Sequence, residues 1–176
     1  MVFLPSGDLE LVSELGVAYR RDERSLIVSR FLADLGTRTF PACFGMDVNY
    51  LDLENYHGGQ LVAQLFAQRG ATRVAMINGP ETRVDAIERE RGFFEGLVAA
   101  GVKKITKRYG DFTVLSGTVA MESIMKELTP DAVFCANDHM AAGAIKAPRE
   151  HRLKVPNDVA VVGYDNTDLC LAWIRL

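Results

Sequence analysis

A chain of 176 residues is long enough for one large domain or two small lobes with a core of their own, and with 48% hydrophobic and 24% charged residues it has the composition of an ordinary water-soluble globular protein. The net charge of −3, without a dense Lys/Arg cluster, argues against a chain that holds nucleic-acid phosphates by itself. Cys43, Cys135 and Cys170 are odd in number and widely spaced, which argues against a disulfide framework or a zinc motif and fits free thiols in a reducing cytoplasm.

Taken in chain order, Met1 to Pro5 carry a short apolar run without a basic flank, so neither a signal peptide nor a membrane span is expected. Residues 2–4 read as a strand, about 9–19 as a helix and 26–29 as another strand, with 31–50 irregular. The pairs and clusters of charge at 20–24 alternate in sign and read as a solvated turn. Residues 55–69 place Leu61, Val62, Leu65 and Phe66 on one face of a helix.

The remaining hundred residues alternate strand and helix. Val74-Ala75-Met76-Ile77-Asn78 is a short apolar run halted by Gly79-Pro80, the signature of a buried strand. A helix is predicted over 84–99, with Ile87, Phe94, Leu97 and Val98 inward and Gly101 as its stop. Residues 104–109 read as an exposed strand, and 116–128 as a helix on the spacing of Val119, Ala120, Ile124, Met125 and Leu128. A strong strand at 132–136, an alanine-rich helix at 138–146 and a strand at 159–164 complete the pattern. Such alternation builds a parallel sheet with helices on both faces, the doubly wound α/β arrangement.

In open α/β sheets ligands bind beyond the carboxyl ends of the strands. Three such ends open into 79–85, Asn137-Asp138 and Asp165-Asn166. Asn137 offers an amide, Asp165 a two-oxygen acceptor and Arg89 a planar charged fork; Phe112 offers a ring to stack on. One cation, one anion, one amide and one aromatic would suit a small polar ring such as a sugar or a nucleobase. On position alone each has a structural alternative: Asn137 or Asp138 as a helix cap, Asp165 in a turn, Arg89 paired with Glu88 or Glu90, and Phe112 in the core.

At these residues the chain resembles the LacI/GalR family of transcription regulators. Asn78-Gly79-Pro80 followed by Arg89-Glu90-Arg91-Gly92-Phe93 is similar to that family's G-P and R-x-x-G-F. Phe134-Cys135-Ala136-Asn137-Asp138-His139-Met140-Ala141-Ala142-Gly143-Ala144 matches F-x-x-N-D-x-x-A-x-G-A, and 155–166 matches V-P-x-D-x-x-V-x-G-Y-D-N. Asn55-Tyr56-His57-Gly58-Gly59 resembles the family's D-N-x-x-G-G, with Glu54 where the family has Asp.

The resemblance, over about residues 50–170, implies two Rossmann-like lobes with parallel sheets around a cleft, as in type I periplasmic binding proteins. It assigns 1–71 to a partial N-terminal lobe and 72–176 to a C-terminal lobe truncated at its end. It implies a cytoplasmic homodimer that binds a sugar- or purine-like effector and meets operator DNA only through a helix-turn-helix head that this sequence lacks. Arg89, Asn137 and Asp165 stand where the family grips its effector, and Phe112 where purine-type repressors stack the effector ring. The incomplete lobe is expected to expose apolar surface and to associate or dissolve poorly. Two departures bear on the last helix. Pro148 should end or kink it, and Arg152 stands where the family often has a capping glycine.

The alternatives are a sugar-binding protein of a transport system and, less well supported, an α/β enzyme. No GxSxG, GxGxxG or GxxxxGK phosphate loop is present, so neither catalysis nor a cofactor is expected.

Overall fold

The computed structural model describes residues 2–3 and 54–167. The elements expected over 9–50, and the charged cluster at 20–24, lie outside them. In chain order the elements are β1 (Val2–Phe3), α1 (Asn55–Gln68), β2 (Arg73–Asn78), α2 (Val84–Ala99), β3 (Lys104–Tyr109), α3 (Val114–Glu127), β4 (Ala132–Cys135), α4 (Asp138–Ala144), α5 (Lys146–Glu150) and β5 (Ala160–Val162). The sheet runs β1-β5-β4-β2-β3. Every pair is parallel except β1 with β5, where Val2 stands opposite Val162.

Strand periodicity divides the core between the two faces. Ala75, Ile77, Val133, Cys135 and Val161 point into a cluster with Met121 and Ile124 of α3, Met140 of α4 and Ile145. The alternate residue Phe134 points the other way, its ring 4.9 Å from Phe93 of α2, which in turn meets Phe66 of α1 edge-on at 5.8 Å. All three phenylalanines are fully buried, and each contributes roughly 1.5–3 kcal/mol by leaving water. Cys135 is fully buried, and burial pushes its thiol well above the ordinary range.

The helices approach one another through glycine. A Cβ on Gly59 would strike the backbone oxygen of Arg89, and one on Gly92 the backbone oxygen of Tyr56, so α1 and α2 touch backbone to backbone. Gly117 and Gly143 seat α3 on α4 in the same way. The close approach rotates α2 from its expected setting. Its buried stripe is Ala86, Arg89, Gly92, Phe93 and Leu97, whereas Ile87 and Val98, expected inside, are 44% and 70% exposed. Likewise Val119 of α3 lies outside and Met121 inside. Helix α1 packs along α2.

Thr113 caps α3 by accepting from Ser116 N, which starts that helix two residues earlier than expected. The helix expected over 138–146 closes at Ala144, and a second short helix carries Pro148 in its first turn, where a missing N–H costs nothing. Three helices end in one pattern. After α1 and α2, Gly70 (φ 70°) and Gly101 (φ 77°) turn left-handed, and the next amide bonds five residues back: Ala71 N to Phe66 O, Val102 N to Leu97 O. After α5 the same place is taken by Arg152 (φ 61°), with Leu153 N bonding Pro148 O. Among the described residues no helix is long and apolar enough to cross a membrane.

Candidate functional site

Register brings the strand ends level. Ile77 pairs with Cys135, Phe134 with Val162, and Asn78 with Tyr109, so the loops after β2, β3, β4 and β5 all leave at one edge. The four residues singled out from the sequence lie on or beside those loops, and the fold pairs Arg89 with Asp165 and Asn137 with the carbonyl of Phe112.

Arg89, in the second turn of α2, is only 4% exposed. Its Nε donates to Asn55 Oδ1 at 2.8 Å, and Nη1 donates to the carbonyl of Ala136. Nη2 stands 3.4 Å from Asp165 Oδ1, and the guanidinium carbon stands 3.8 Å from the centre of the Tyr164 ring. Its sequence neighbours are engaged elsewhere: Glu88 holds Arg91, and Glu90 holds Lys107 and Asn78. The local pairing with Glu88 or Glu90 is therefore absent, and the charge turns inward. Of five N–H groups, donors on both terminal nitrogens keep no hydrogen-bond partner among the described residues.

Asp165 is at the surface, its side chain 36% exposed, and sits at φ 90°, followed by Asn166 at φ 52°. Burial pushes its carboxyl above the usual range; Arg89 pulls it back in part, and Asp138 pushes it up again. Asn137 does serve as a cap. Its Oδ1 accepts from Met140 N at 2.9 Å at the head of α4, while its Nδ2 donates to the carbonyl of Phe112 at 3.0 Å. Phe112 is held at φ 67°. Its ring lies against Gly79, where a Cβ would meet it, and Arg83 stands 5.9 Å from the ring centre.

Four supporting residues escaped sequence reasoning. Asn55 is 5% exposed and reaches Arg89 from another helix. Tyr164 floors the guanidinium, and its hydroxyl fits where a Cβ on Gly58 would be. Asp138 is fully buried and accepts from Thr167 N at 2.6 Å and Thr167 Oγ1 at 3.1 Å, tying down the loop that carries Asp165. Arg83, unremarked in the sequence, stands over the Phe112 ring. The signals were present, since Asn55, Asp138 and Tyr164 stand inside the quoted motifs, but nothing in the sequence says which of them touch. Among the described residues no group of three or more His, Cys, Asp or Glu is placed to hold a metal ion.

The arrangement is a cation whose terminal nitrogens keep donors without a hydrogen-bond partner among the described residues, with a carboxylate beside it, and an amide and an aromatic ring at the same sheet edge. It can bind a small polar molecule by paired donors and acceptors. Comparison with known proteins agrees in fold. Residues 63–175 match the model of the periplasmic binding protein-like domain family. The chain is 41% identical over 123 residues to the HTH-type transcriptional regulator CelR of Thermobifida fusca, covering 68% of this chain and 36% of that protein. It is 36% identical over 132 residues to the ribose operon repressor of Escherichia coli, covering 73% of this chain and 40% of that protein. A solved dimeric Lac repressor with a C-terminal deletion superposes with a TM-score of 0.65 at 32% identity, over 68% of this chain and 44% of that one. The chain thus spans less than half the length of each of these relatives.

Proposed function

Since the chain belongs to the periplasmic binding protein-like domain family, and its relatives include LacI-type regulators, we propose that it is the effector-sensing core of a DNA-binding transcription regulator. The effector is a small sugar- or nucleobase-like metabolite, taken up at the rim where Arg89, Phe112, Asn137 and Asp165 meet. The observation that carries this reading is the Arg89–Asp165 pair at the carboxyl edge of the sheet, 3.4 Å apart, with guanidinium donors that keep no hydrogen-bond partner among the described residues. A hydroxyl can donate to the carboxylate while its neighbour accepts from the guanidinium, and a ring face can lie on Phe112.

In this reading residues 1–71 supply part of an N-terminal lobe, 72–176 the C-terminal lobe, and the effector occupies the cleft of a cytoplasmic homodimer that controls operator DNA through a separate head. The net charge of −3 supports giving DNA contact to another segment. Leu115 and Val119 of α3, 72% and 57% exposed, are apolar surface of the kind that a second copy would cover. The regulators among the relatives favour this reading over a transport receptor or an enzyme.

A thermal-shift screen of pentoses, hexoses, disaccharides and purine bases against the 176-residue chain tests the proposal. A concentration-dependent rise in Tm for one of these classes is expected. A folded chain that responds to none of them at millimolar concentration overturns it.

A further inference from the structure

We propose that Asn55 is a positioning residue for Arg89, a neutral acceptor that sets the rotation of the guanidinium and so the direction of its spare donors. Asn55 is the first residue of α1, and Gly59 follows one turn later on the same buried face. That glycine lies on the backbone oxygen of Arg89 while Gly92 lies on that of Tyr56, so the first turn of α1 is seated on the residues it serves. Asn55 Oδ1 takes the Nε proton at 2.8 Å and the Ala136 carbonyl takes one from Nη1. With two of three nitrogens pinned and one face on Tyr164, the planar fork cannot turn about its last bond, and Nη2 is left facing Asp165.

The neutrality of the amide matters. A carboxylate in its place would hold Nε as well but would compete with Asp165 for the same cation. The amide fixes the geometry and leaves the charge of Arg89 to Asp165 and to whatever binds there. The proposal rests on the effector-site reading for its purpose, but its test needs no effector. A failed metabolite screen and a failed positioning test are therefore separate outcomes.

The test is NMR of the whole chain with labelled arginine and aspartate. It reads water exchange of the Arg89 Nε–H and the titration of the Asp165 carboxyl, which faces Arg89, Asp138 and Asp85. In the wild type the Arg89 Nε–H should exchange at least about tenfold more slowly than that of Arg91, whose side chain is 55% exposed. Asn55→Ala should restore fast exchange and move the Asp165 titration upward, because the cation that opposes it is released. Asn55→Asp should keep the exchange slow while also raising the titration, through added negative charge. Slow exchange or an unmoved titration in Asn55→Ala overturns the proposal. So does a wild-type Nε–H that exchanges as fast as that of Arg91, a result that needs no variant to fold.

Discussion

Arg89 of α2 and Asp165 beyond β5 form an ion pair of 3.4 Å, although one side chain is 5% exposed and the other 36%. The pair joins an arginine that burial has stripped of water to a carboxylate that burial has pushed above its ordinary range. The carboxyl therefore binds its proton more tightly in the folded state than in the unfolded chain. Its contribution to stability is fully present below the unfolded carboxylate value, about 3.9, and is lost as pH rises through the raised folded value. Asp165→Asn should remove that loss, so that the variant gains on the wild type between about pH 4 and pH 7. Asparagine also tolerates the left-handed backbone at this position. Urea unfolding at the two pH values measures it; an unchanged difference between the proteins would refute the linkage.

Arg89→Met keeps the length of the side chain but strands three acceptors: Asn55 Oδ1, the Ala136 carbonyl and Asp165. Hydrogen bonds to a charged group and the half-exposed partner together suggest a cost of about 2–3 kcal/mol, after allowance for solvent screening at Asp165. The urea midpoint should fall with the slope unchanged. A shift near zero would show that the buried guanidinium is not stabilising the rim.

Two glycines separate packing from backbone strain. Gly92→Ala places a methyl group on the Tyr56 carbonyl and must part α1 from α2, at a cost of about 2–3 kcal/mol. Gly70→Ala meets nothing within 4 Å but keeps φ at 70°, so only the left-handed penalty of about 1 kcal/mol applies. Equal losses from the two changes would contradict the backbone contact.

Arg152→Gly should stabilise the chain. Arg152 fills the left-handed position of the closing turn after α5, the place that glycine holds after α1 and α2. Relief of strain, less the greater freedom of glycine when unfolded, leaves about 0.5–1 kcal/mol, or roughly 1–4 °C in Tm for a chain of this size. Calorimetry checks the sign, and a lower Tm would refute the assignment.

For the proposed effector site, Asp165→Ala should abolish the thermal shift given by any metabolite that the screen identifies, while the unliganded protein keeps a cooperative transition. An undiminished shift would remove Asp165 from the site.

The alternation of strand and helix over 73–162 was legible in the sequence because buried parallel strands must be short apolar runs and their connecting helices must be amphipathic. The common edge of the strand ends was legible too, since the strands of such a sheet run parallel, and Asn137 and Asp165 follow strands in plain view. What the sequence could not supply was rotation and partnership. The buried face of α2 is turned from the one that its large apolar residues suggest, because small residues let α1 come close at Gly59 and Gly92. Whether Arg89 met Glu88, Glu90 or Asp165 was likewise undecided by spacing, and so was the acceptor that awaited it on Asn55. Local order along a chain follows from local propensity and periodicity; which distant side chains share a hydrogen bond depends on how closely two backbones approach, and that distance exists only once the whole unit has packed.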